Sequence, residues 1–219
     1  MWDEATLKML IQGVGETLYM VFFSTLFGYV IGLPIGILLV TSAKDGIRPN
    51  AVVYKTLDVI VNLTRSIPFL ILLVAILPFT RMVVGTTIGS NATIVPLTLS
   101  AAPFIARLVE SSLKEIDVGV IEAAQSMGAS SMQIVLKVLL PEAKPSLIVG
   151  CAIATTTILG YSAMAGFVGG GGLGTIAINY GFYRYQYAIM LVTVVLLVLI
   201  VQVLQGIGMK AAKYYDKRK

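Results

Sequence analysis

Long uncharged, mostly apolar runs alternate with short polar breaks along this chain. No charged residue occurs between Glu16 and Lys44, and a helix needs about 20 such residues to cross roughly 30 Å of hydrocarbon. Applied along the chain, this length criterion predicts an all-α membrane protein with five transmembrane helices. The predicted spans are residues 15–41, 54–80, 92–112, 145–166 and 186–209.

One uncharged stretch, from Pro145 to Tyr183, is too long for a single ordinary helix. Five glycines interrupt it, at positions 169, 170, 171, 172 and 174. Glycine is among the least favourable residues in a helix interior. We therefore predict a loop over residues 167–185, open to a partly re-entrant path, and not a sixth span.

The basic residues predict the orientation of the spans, because lysine and arginine concentrate on the cytoplasmic side of bacterial membranes. With five spans and a cytoplasmic C-terminus, the outer side holds only Lys8, Arg81 and Arg184. The cytoplasmic side then holds Lys44, Arg48, Lys55, Arg107, Lys114, Lys137, Lys144, Lys210, Lys213, Lys217, Arg218 and Lys219. We expect an extracytoplasmic N-terminus and a cytoplasmic C-terminus.

Composition narrows the possible functions. Apolar residues make up 57% of the chain and charged residues 12%, whereas a soluble domain carries about 25% charged residues. The formal charge is +5, but the basic residues are too scattered for a nucleic-acid partner. With no histidine and one cysteine, Cys151, the usual metal sites are not expected.

Catalytic signatures are equally sparse. No Gly-x-x-x-x-Gly-Lys-Ser/Thr sequence is present to hold nucleotide phosphates, so we expect no cofactor in this chain. An intramembrane hydrolase would need a base or paired carboxylates within the spans. Asp58 stands alone near a helix start in the sequence, and we predict that the chain is not an enzyme.

The longest hydrophilic segment, residues 114–141, separates the third and fourth spans. Asp117 is placed to cap a short helix, and Gly128 marks its end. Small side chains along that helix would let another protein surface approach the backbone closely. Pro141 is placed to open the next helix. From composition alone, an amphipathic helix lying at the lipid interface fits equally well.

The spacing within this segment resembles the cytoplasmic "EAA" loop of permeases from binding-protein-dependent ABC importers. Glu122-Ala123-Ala124 is followed by Gly128 and then by Val138-Leu139-Leu140-Pro141, where the family more often has isoleucine at the position of Val138. The resemblance implies a coupling helix that docks into a separate ATPase, which binds ATP and magnesium. The coupling residues it implies are Glu122, Ala123, Ala124, Met127, Gly128, Ala129, Leu140 and Pro141.

Other segments resemble the permeases of methionine importers in particular. They are Arg65-Ser66-Ile67-Pro68-Phe69, Pro78-Phe79-Thr80-Arg81, Ile94-Val95-Pro96-Leu97, Ala101-Ala102-Pro103-Phe104-Ile105-Ala106-Arg107 and Gly160-Tyr161-Ser162-Ala163-Met164. The resemblance implies a homodimer in the bacterial cytoplasmic membrane, two ATPase subunits and an extracytoplasmic methionine-binding lipoprotein. Import of another small zwitterion, such as a betaine or another amino acid, is the alternative. A membrane scaffold that transports nothing would not require the cytoplasmic loop.

This resemblance also suggests how the chain is divided. Residues 1–12 are an extracytoplasmic N-terminus, residues 13–207 the type I transmembrane domain with its loop 114–141, and residues 208–219 a cytoplasmic basic tail. Tyr161, Ser162 and Met164, just before the glycine-rich loop, are candidates for a narrow gate because a thioether repacks easily. Gly28, Gly32 and Gly36 recur every four residues, which suits close helix packing within the subunit or at a dimer face.

Overall fold

The structure, a computed structural model, describes residues 3–216. Lys217, Arg218 and Lys219, which we assigned to the cytoplasmic tail, lie outside the described residues. Helices follow one another along the described chain, and no strand occurs in it. They are α1 (Glu4–Ser42), α2 (Ala51–Ser66), α3 (Phe69–Ala75), α4 (Leu77–Val84), α5 (Ser90–Lys114), α6 (Val118–Ser126), α7 (Ser131–Ile134), α8 (Leu140–Glu142), α9 (Lys144–Met164), α10 (Gly172–Ile176) and α11 (Tyr187–Tyr215). A 3₁₀ segment covers Ala165–Val168, and π-helical segments cover Val135–Leu139 and Ala177–Phe182.

Four stretches of the described chain could each cross a membrane, and the number reaches the predicted five if an interrupted helix pair is one span. Within residues 3–216, α1, α5, the stretch Lys144–Phe182 and α11 are each long and apolar enough to cross a membrane. The interrupted pair α2 and α3 meets the same criterion only when the two helices are taken together. The prediction of one span over 54–80 was therefore wrong in its continuity. Pro68 has no amide hydrogen and disfavours a helical conformation at Ile67, so the helix stops at Ser66.

The prediction of a loop over 167–185 was also partly wrong. Only Gly169–Gly171 and the residues after Phe182 are non-helical there, and Gly172–Phe182 forms α10 followed by a π-helical turn. Glycines 169, 171 and 172 have φ values of +75°, +88° and +69°, which an L side chain rarely adopts. The glycines thus make a tight turn from which a second helix starts. We call residues 169–172 the glycine turn.

The described chain divides into two compact units. The glycine-turn unit contains the residues up to Gly28, Ile67–Ala101 and Thr155–Gln205. Its core includes Leu10, Leu173, Ile176 and Ile189. The ion-pair unit contains Tyr29–Ser66, Ala102–Ala154 and the described residues from Gly206 on, with Leu39, Val61 and Ala106 in its core.

Two members of the glycine repeat in α1 have a clear packing role within the ion-pair unit. A Cβ at Gly32 would lie 2.5 Å from the carbonyl oxygen of Ala102, and one at Gly36 would lie 2.6 Å from Cβ of Val109. Helix α5 therefore approaches α1 as closely as glycine permits. This contact accounts for Gly32 and Gly36 by packing inside the subunit.

Helix α1 starts where its sequence provides a cap. The backbone amide and the hydroxyl of Thr6 both donate to Oδ1 of Asp3, at 3.0 and 2.6 Å. The Thr6 hydroxyl lowers the pKa of the Asp3 carboxyl, because the bond favours its charged form. Asp3 thus satisfies an amide that the first helical turn leaves without a partner.

Candidate functional site

The segment predicted to couple to an ATPase begins with a capped helix. Oδ1 of Asp117 accepts a hydrogen bond from the amide of Gly119 at 2.7 Å, and α6 follows from Val118. Ser126 donates from its hydroxyl to the carbonyl of Glu122 at 2.9 Å, so that hydroxyl is satisfied within the helix. The predicted cap at Asp117 is confirmed.

Gly128 ends α6 in the way the sequence predicts. Its φ is +78°, in the left-handed region, and a Cβ there would meet nothing within 4 Å. The amide of Ala129 donates back to the carbonyl of Ala124 at 3.1 Å, which closes the helix end. Glycine is needed at this position for its backbone conformation and not for lack of space.

A second cap restarts the chain two residues later. Ser130 Oγ accepts from the amide of Gln133, and the Gln133 side chain accepts from the amide of Ser130 at 2.8 Å, which together form a capping box. Helix α7 passes into the π-helical turn Val135–Leu139, and Pro141 lies in the first turn of α8. The start and end of α6 and the next helix start are therefore all fixed by local sequence.

The predicted coupling residues differ in their exposure. Glu122, Ala123, Met127, Gly128 and Pro141 are exposed, and Met127 is exposed over 82% of its surface. Ala129 and Leu140 are half-buried. Ala124 is 4% exposed and packs against its own chain. The exposed members leave α6 with an acidic side chain, a flexible apolar side chain and an accessible backbone on its free surface.

An ion-pair network that the sequence did not suggest lies in the same unit. Arg107 pairs with Asp58 of α2 and with Glu110 at 2.5 Å, and Lys114 pairs with Glu110 at 2.8 Å. Glu110 is only 4% exposed, so its charge depends on these two partners. The view of Asp58 as an isolated carboxylate was wrong. The i, i+3 and i, i+4 spacing of Arg107, Glu110 and Lys114 signals part of this network, whereas Asp58 carries no local signal.

The two helices that flank the coupling segment are also joined by hydroxyl contacts. The hydroxyl of Ser146, in α9, lies 3.1 Å from Oγ of Ser112 and donates to Oε1 of Glu115 at 3.0 Å. Ser112 belongs to α5, and Glu115 follows its last residue. The chain just before and just after the segment is thereby held together.

The predicted gate residues occupy three different environments. Tyr161 is half-buried and stacks on Phe69, with ring centroids 4.7 Å apart and planes 5° from parallel. Ser162 is 2% exposed, and its hydroxyl donates to the carbonyl of Leu159 at 2.7 Å. Met164 is 48% exposed and carries the freest side chain of the three. No local pattern in the sequence indicates a role for Phe69, because its stacking partner Tyr161 is far away along the chain.

Residues 3–216 contain no group of three or more histidine, cysteine or carboxylate side chains that could hold a metal ion. The polar chemistry of the described chain is instead concentrated in the ion pairs and helix caps.

The fold and these segments define a class of membrane-spanning transport subunit, and comparison with known proteins identifies the family. The sequence profile of the family described as "binding-protein-dependent transport system inner membrane component" matches residues 28–211. The chain belongs to this family of multi-pass inner-membrane permease subunits.

Its relatives are more specific. The chain is 49% identical, over 99% of its length and 96% of the relative, to a protein of Vibrio cholerae described as a probable D-methionine transport system permease, MetI. It is 56% identical to the D-methionine transport system permease MetI of Escherichia coli K12, over 75% of this chain and 76% of that one. A solved chain of the MetNI methionine ABC transporter, in inward-facing conformations, matches with a TM-score of 0.97 and 51% identity, over 99% of this chain and 100% of that one.

Proposed function

We propose that this chain is the permease subunit of an ATP-driven importer that takes up methionine across the cytoplasmic membrane. The observation that carries the proposal is the end-to-end likeness, in both sequence and fold, to permeases of methionine transport systems. We infer that a separate ATPase hydrolyses ATP. Two observations support this inference: the chain belongs to the permease family, and its sequence has no phosphate-binding loop. This chain then provides the passage and performs no hydrolysis of its own.

The proposed docking surface for the ATPase is α6 and the turn after it. Glu122, Ala123 and Met127 are exposed, and small side chains allow a partner to approach the α6 backbone. A flexible thioether can adapt to the shape of a partner cleft as that cleft opens and closes. Ala124, which is buried, would serve by letting α6 lie close to the rest of its own unit.

The proposed pathway is formed by two copies of the chain, because one bundle of five spans offers little room for an amino acid. Met164, with Tyr161 beside it and Ser162 behind it, is proposed to line the gate. Methionine is a zwitterion, so a wholly apolar passage would strand its charges at a cost of several kcal/mol unless water or helix ends met them. We therefore place selection among substrates in an extracytoplasmic methionine-binding lipoprotein, which delivers methionine to a nearly neutral passage.

The proposed arrangement in the membrane follows the basic residues. Residues 1–12 lie outside, residues 13–207 form the transmembrane domain with its cytoplasmic loop 114–141, and residues 208–219 form a basic tail inside. Exposed Lys44, Arg48 and Lys137 support a cytoplasmic position for the loops that carry them.

Transport by the whole complex tests the proposal. The permease, its ATPase and its binding protein are reconstituted in vesicles, and ATP-dependent uptake of labelled methionine is measured with excess unlabelled methionine or betaine. We expect methionine to abolish the uptake of label and betaine to leave it unchanged. Competition by betaine and not by methionine would favour the alternative substrate.

The coupling role is tested by reversing a charge in α6 and by adding a bulky side chain in the turn after it. Glu122→Lys and Gly128→Trp should reduce ATP-dependent uptake and release the ATPase from detergent-purified complex, while the permease still inserts. Asp45→Lys is the matched control for the charge reversal, since Asp45 is also exposed but lies outside the segment 114–141. Normal uptake and intact assembly in both Glu122→Lys and Gly128→Trp would contradict the docking role.

Orientation is tested by labelling single cysteines in a Cys151→Ala background. Ile88→Cys should react with an impermeant thiol reagent added outside whole cells, and Asp45→Cys should not. Both positions are exposed, so side-chain burial does not explain a difference. The opposite pattern would reverse the proposed orientation.

A further inference from the structure

The glycine turn is held by hydrogen bonds to three side chains that have no role in the proposed function. Oε2 of Glu16 accepts from the amide of Gly172 at 2.7 Å, and Oγ1 of Thr17 accepts from the amide of Leu173 at 2.9 Å. The hydroxyl of Thr93 donates to the carbonyl of Gly170 at 2.9 Å. We call Glu16, Thr17 and Thr93 the clasp.

Each clasp contact meets a backbone group that the glycine turn leaves without a helical partner. The first amides of a helix have no partner within that helix, and a membrane interior offers little water to replace one. Thr17 and Thr93 are 1% and 4% exposed, so their hydroxyls are the partners available to the buried groups they contact. Glu16 is half-buried, borders an open cavity of about 590 Å³, and accepts a second bond from Nε2 of Gln12 at 2.8 Å.

The clasp fits only because the turn carries no side chains. A Cβ at Gly172 would lie 2.6 Å from Oγ1 of Thr17, and one at Gly171 would lie 3.1 Å from Oε2 of Glu16. A Cβ at Gly170 would lie 2.7 Å from Oγ1 of Thr93. The glycines and the clasp are therefore complementary, and either one without the other leaves buried polar groups unmet.

The turn fixes the segment that carries the proposed gate. The amide of Gly170 donates to the carbonyl of Ala165 at 3.0 Å, directly after Met164. A Cβ at Gly166 would lie 2.5 Å from the carbonyl carbon of Gly174. The segments before and after the turn therefore pack backbone against backbone. The position of Ala165 and Gly166, and with them of Met164, follows from the position of the turn.

We propose that Glu16, Thr17 and Thr93 are positioning residues of the transport pathway, which set the place of the Met164 side chain by clasping the glycine turn. The proposal rests on the proposed function in one respect, the role of Met164 as a gate. None of the three clasp residues has to touch the transported molecule. Their effect is exerted through backbone hydrogen bonds to the turn.

The test compares isosteric and conservative variants in the complete reconstituted complex. Thr17→Val and Thr93→Val remove one hydroxyl each with little change in shape, and Glu16→Leu removes the acceptor. Thr17→Ser, Thr93→Ser and Glu16→Gln each keep an oxygen that can accept or donate the same bond. The readouts are methionine uptake, ATP hydrolysis stimulated by the binding protein, and the rate at which a thiol reagent modifies Met164→Cys in a Cys151→Ala background.

We expect each of the first three variants to lower uptake about tenfold, since one unmet buried amide or carbonyl costs about that factor in an equilibrium. We expect ATP hydrolysis to be retained and the modification rate of Met164→Cys to change severalfold, with the conservative variants restoring both uptake and the modification rate. Unchanged modification of Met164→Cys in Thr17→Val and Glu16→Leu would overturn the proposal, whatever happens to uptake. If the unaltered complex fails to import methionine, the proposed function is wrong, while the modification rates still decide the role of the clasp.

Discussion

The two compact units of this chain satisfy their buried polar groups in different ways. In the ion-pair unit, Arg107, Glu110 and Asp58 meet through long side chains, and Lys114 extends the network toward solvent. In the glycine-turn unit, backbone amides and carbonyls meet the side chains of the clasp at positions where no Cβ fits. Long side chains can move when a neighbour changes, whereas a backbone turn packed against backbone cannot. The glycine-turn unit should therefore tolerate substitution far less.

The units also differ in how the segments proposed for coupling and for the gate are built. The coupling segment starts, ends and restarts at local caps, namely Asp117, Gly128 and Ser130 with Gln133. The segment that carries the proposed gate depends on distant parts of the chain, through Phe69 and the clasp. We expect substitutions in the proposed coupling segment to change only the structure near them. Substitutions near the proposed gate should act through tertiary contacts with distant parts of the chain.

The largest effect is expected from adding a side chain where the glycine-turn unit packs backbone on backbone. Gly174→Val would place Cβ 2.6 Å from Cα of Ala163 and closer still to its carbonyl oxygen. Relief requires the turn to move, so we expect a loss above about 4 kcal/mol, in the range reached only by severe core changes. Folded yield and thermal midpoint in detergent measure it. Gly160→Val, where a Cβ meets nothing within 4 Å, is the control and should fold.

Removal of the central cation of the ion-pair unit should have the next largest effect. Arg107→Met leaves Asp58 without this partner and leaves the buried Glu110 with Lys114 alone, so we expect a loss of about 2–3 kcal/mol. Thermal unfolding of the purified complex measures it, with Arg48→Met, at an exposed position, as control. Adding Asp58→Asn should cost little more once Arg107 is gone. A full additional cost would show that the two side chains act independently.

Gly128 offers a way to separate backbone strain from crowding in the coupling segment. Gly128→Ala meets no atom but must hold a φ of +78°, which costs about 1 kcal/mol for an L residue. Hydrogen exchange at the amide of Ala129, which closes α6, should accelerate about fivefold on that basis. Gly128→Asn should recover much of the protection, since asparagine tolerates the left-handed region. Equal exchange in both variants would mean that strain is not what glycine relieves.

The aromatic stack should contribute least to stability. Phe69→Leu keeps the buried apolar volume approximately but removes the parallel ring, at about 0.5–1 kcal/mol. A small shift in the thermal midpoint is expected. Phe167→Leu, at an exposed position, provides the reference. A loss as large as that of Arg107→Met would mean that the gate depends on this stack more than the comparison of units suggests.

The helix caps of the proposed coupling segment, and a number of spans that agrees with the four or five candidates in the structure, could be predicted from the sequence. Asp117 and Gly128 act within a few residues of their own positions, so the local sequence is enough to predict that they begin and end a helix. Uncharged runs predicted the spans because hydrocarbon excludes charge over a fixed thickness. The same reasoning failed between residues 54 and 80, where Pro68 outweighs apolar character and ends the helix.

The errors elsewhere share a cause. Asp58 and Arg107 are separated by 49 positions, so the sequence around either residue does not predict that they form an ion pair. Gly172–Phe182 was expected to be a loop because glycine weakens a helix, but hydrogen bonds from its first two amides to Glu16 and Thr17 provide the stabilisation that local propensity lacks. Helix propensity is a weak prior, and tertiary contacts override it here.

The sequence by itself determined that this chain is an all-α membrane protein with a capped polar segment that resembles one found in importer permeases. Those features depend on the thickness of hydrocarbon and on hydrogen bonds between near neighbours, which a linear pattern records. Only the tertiary structure decided the partners of Arg107 and the helix that follows the glycine turn. These depend on which distant side chains meet unsatisfied backbone or charge, and that pairing exists only once the chain has folded.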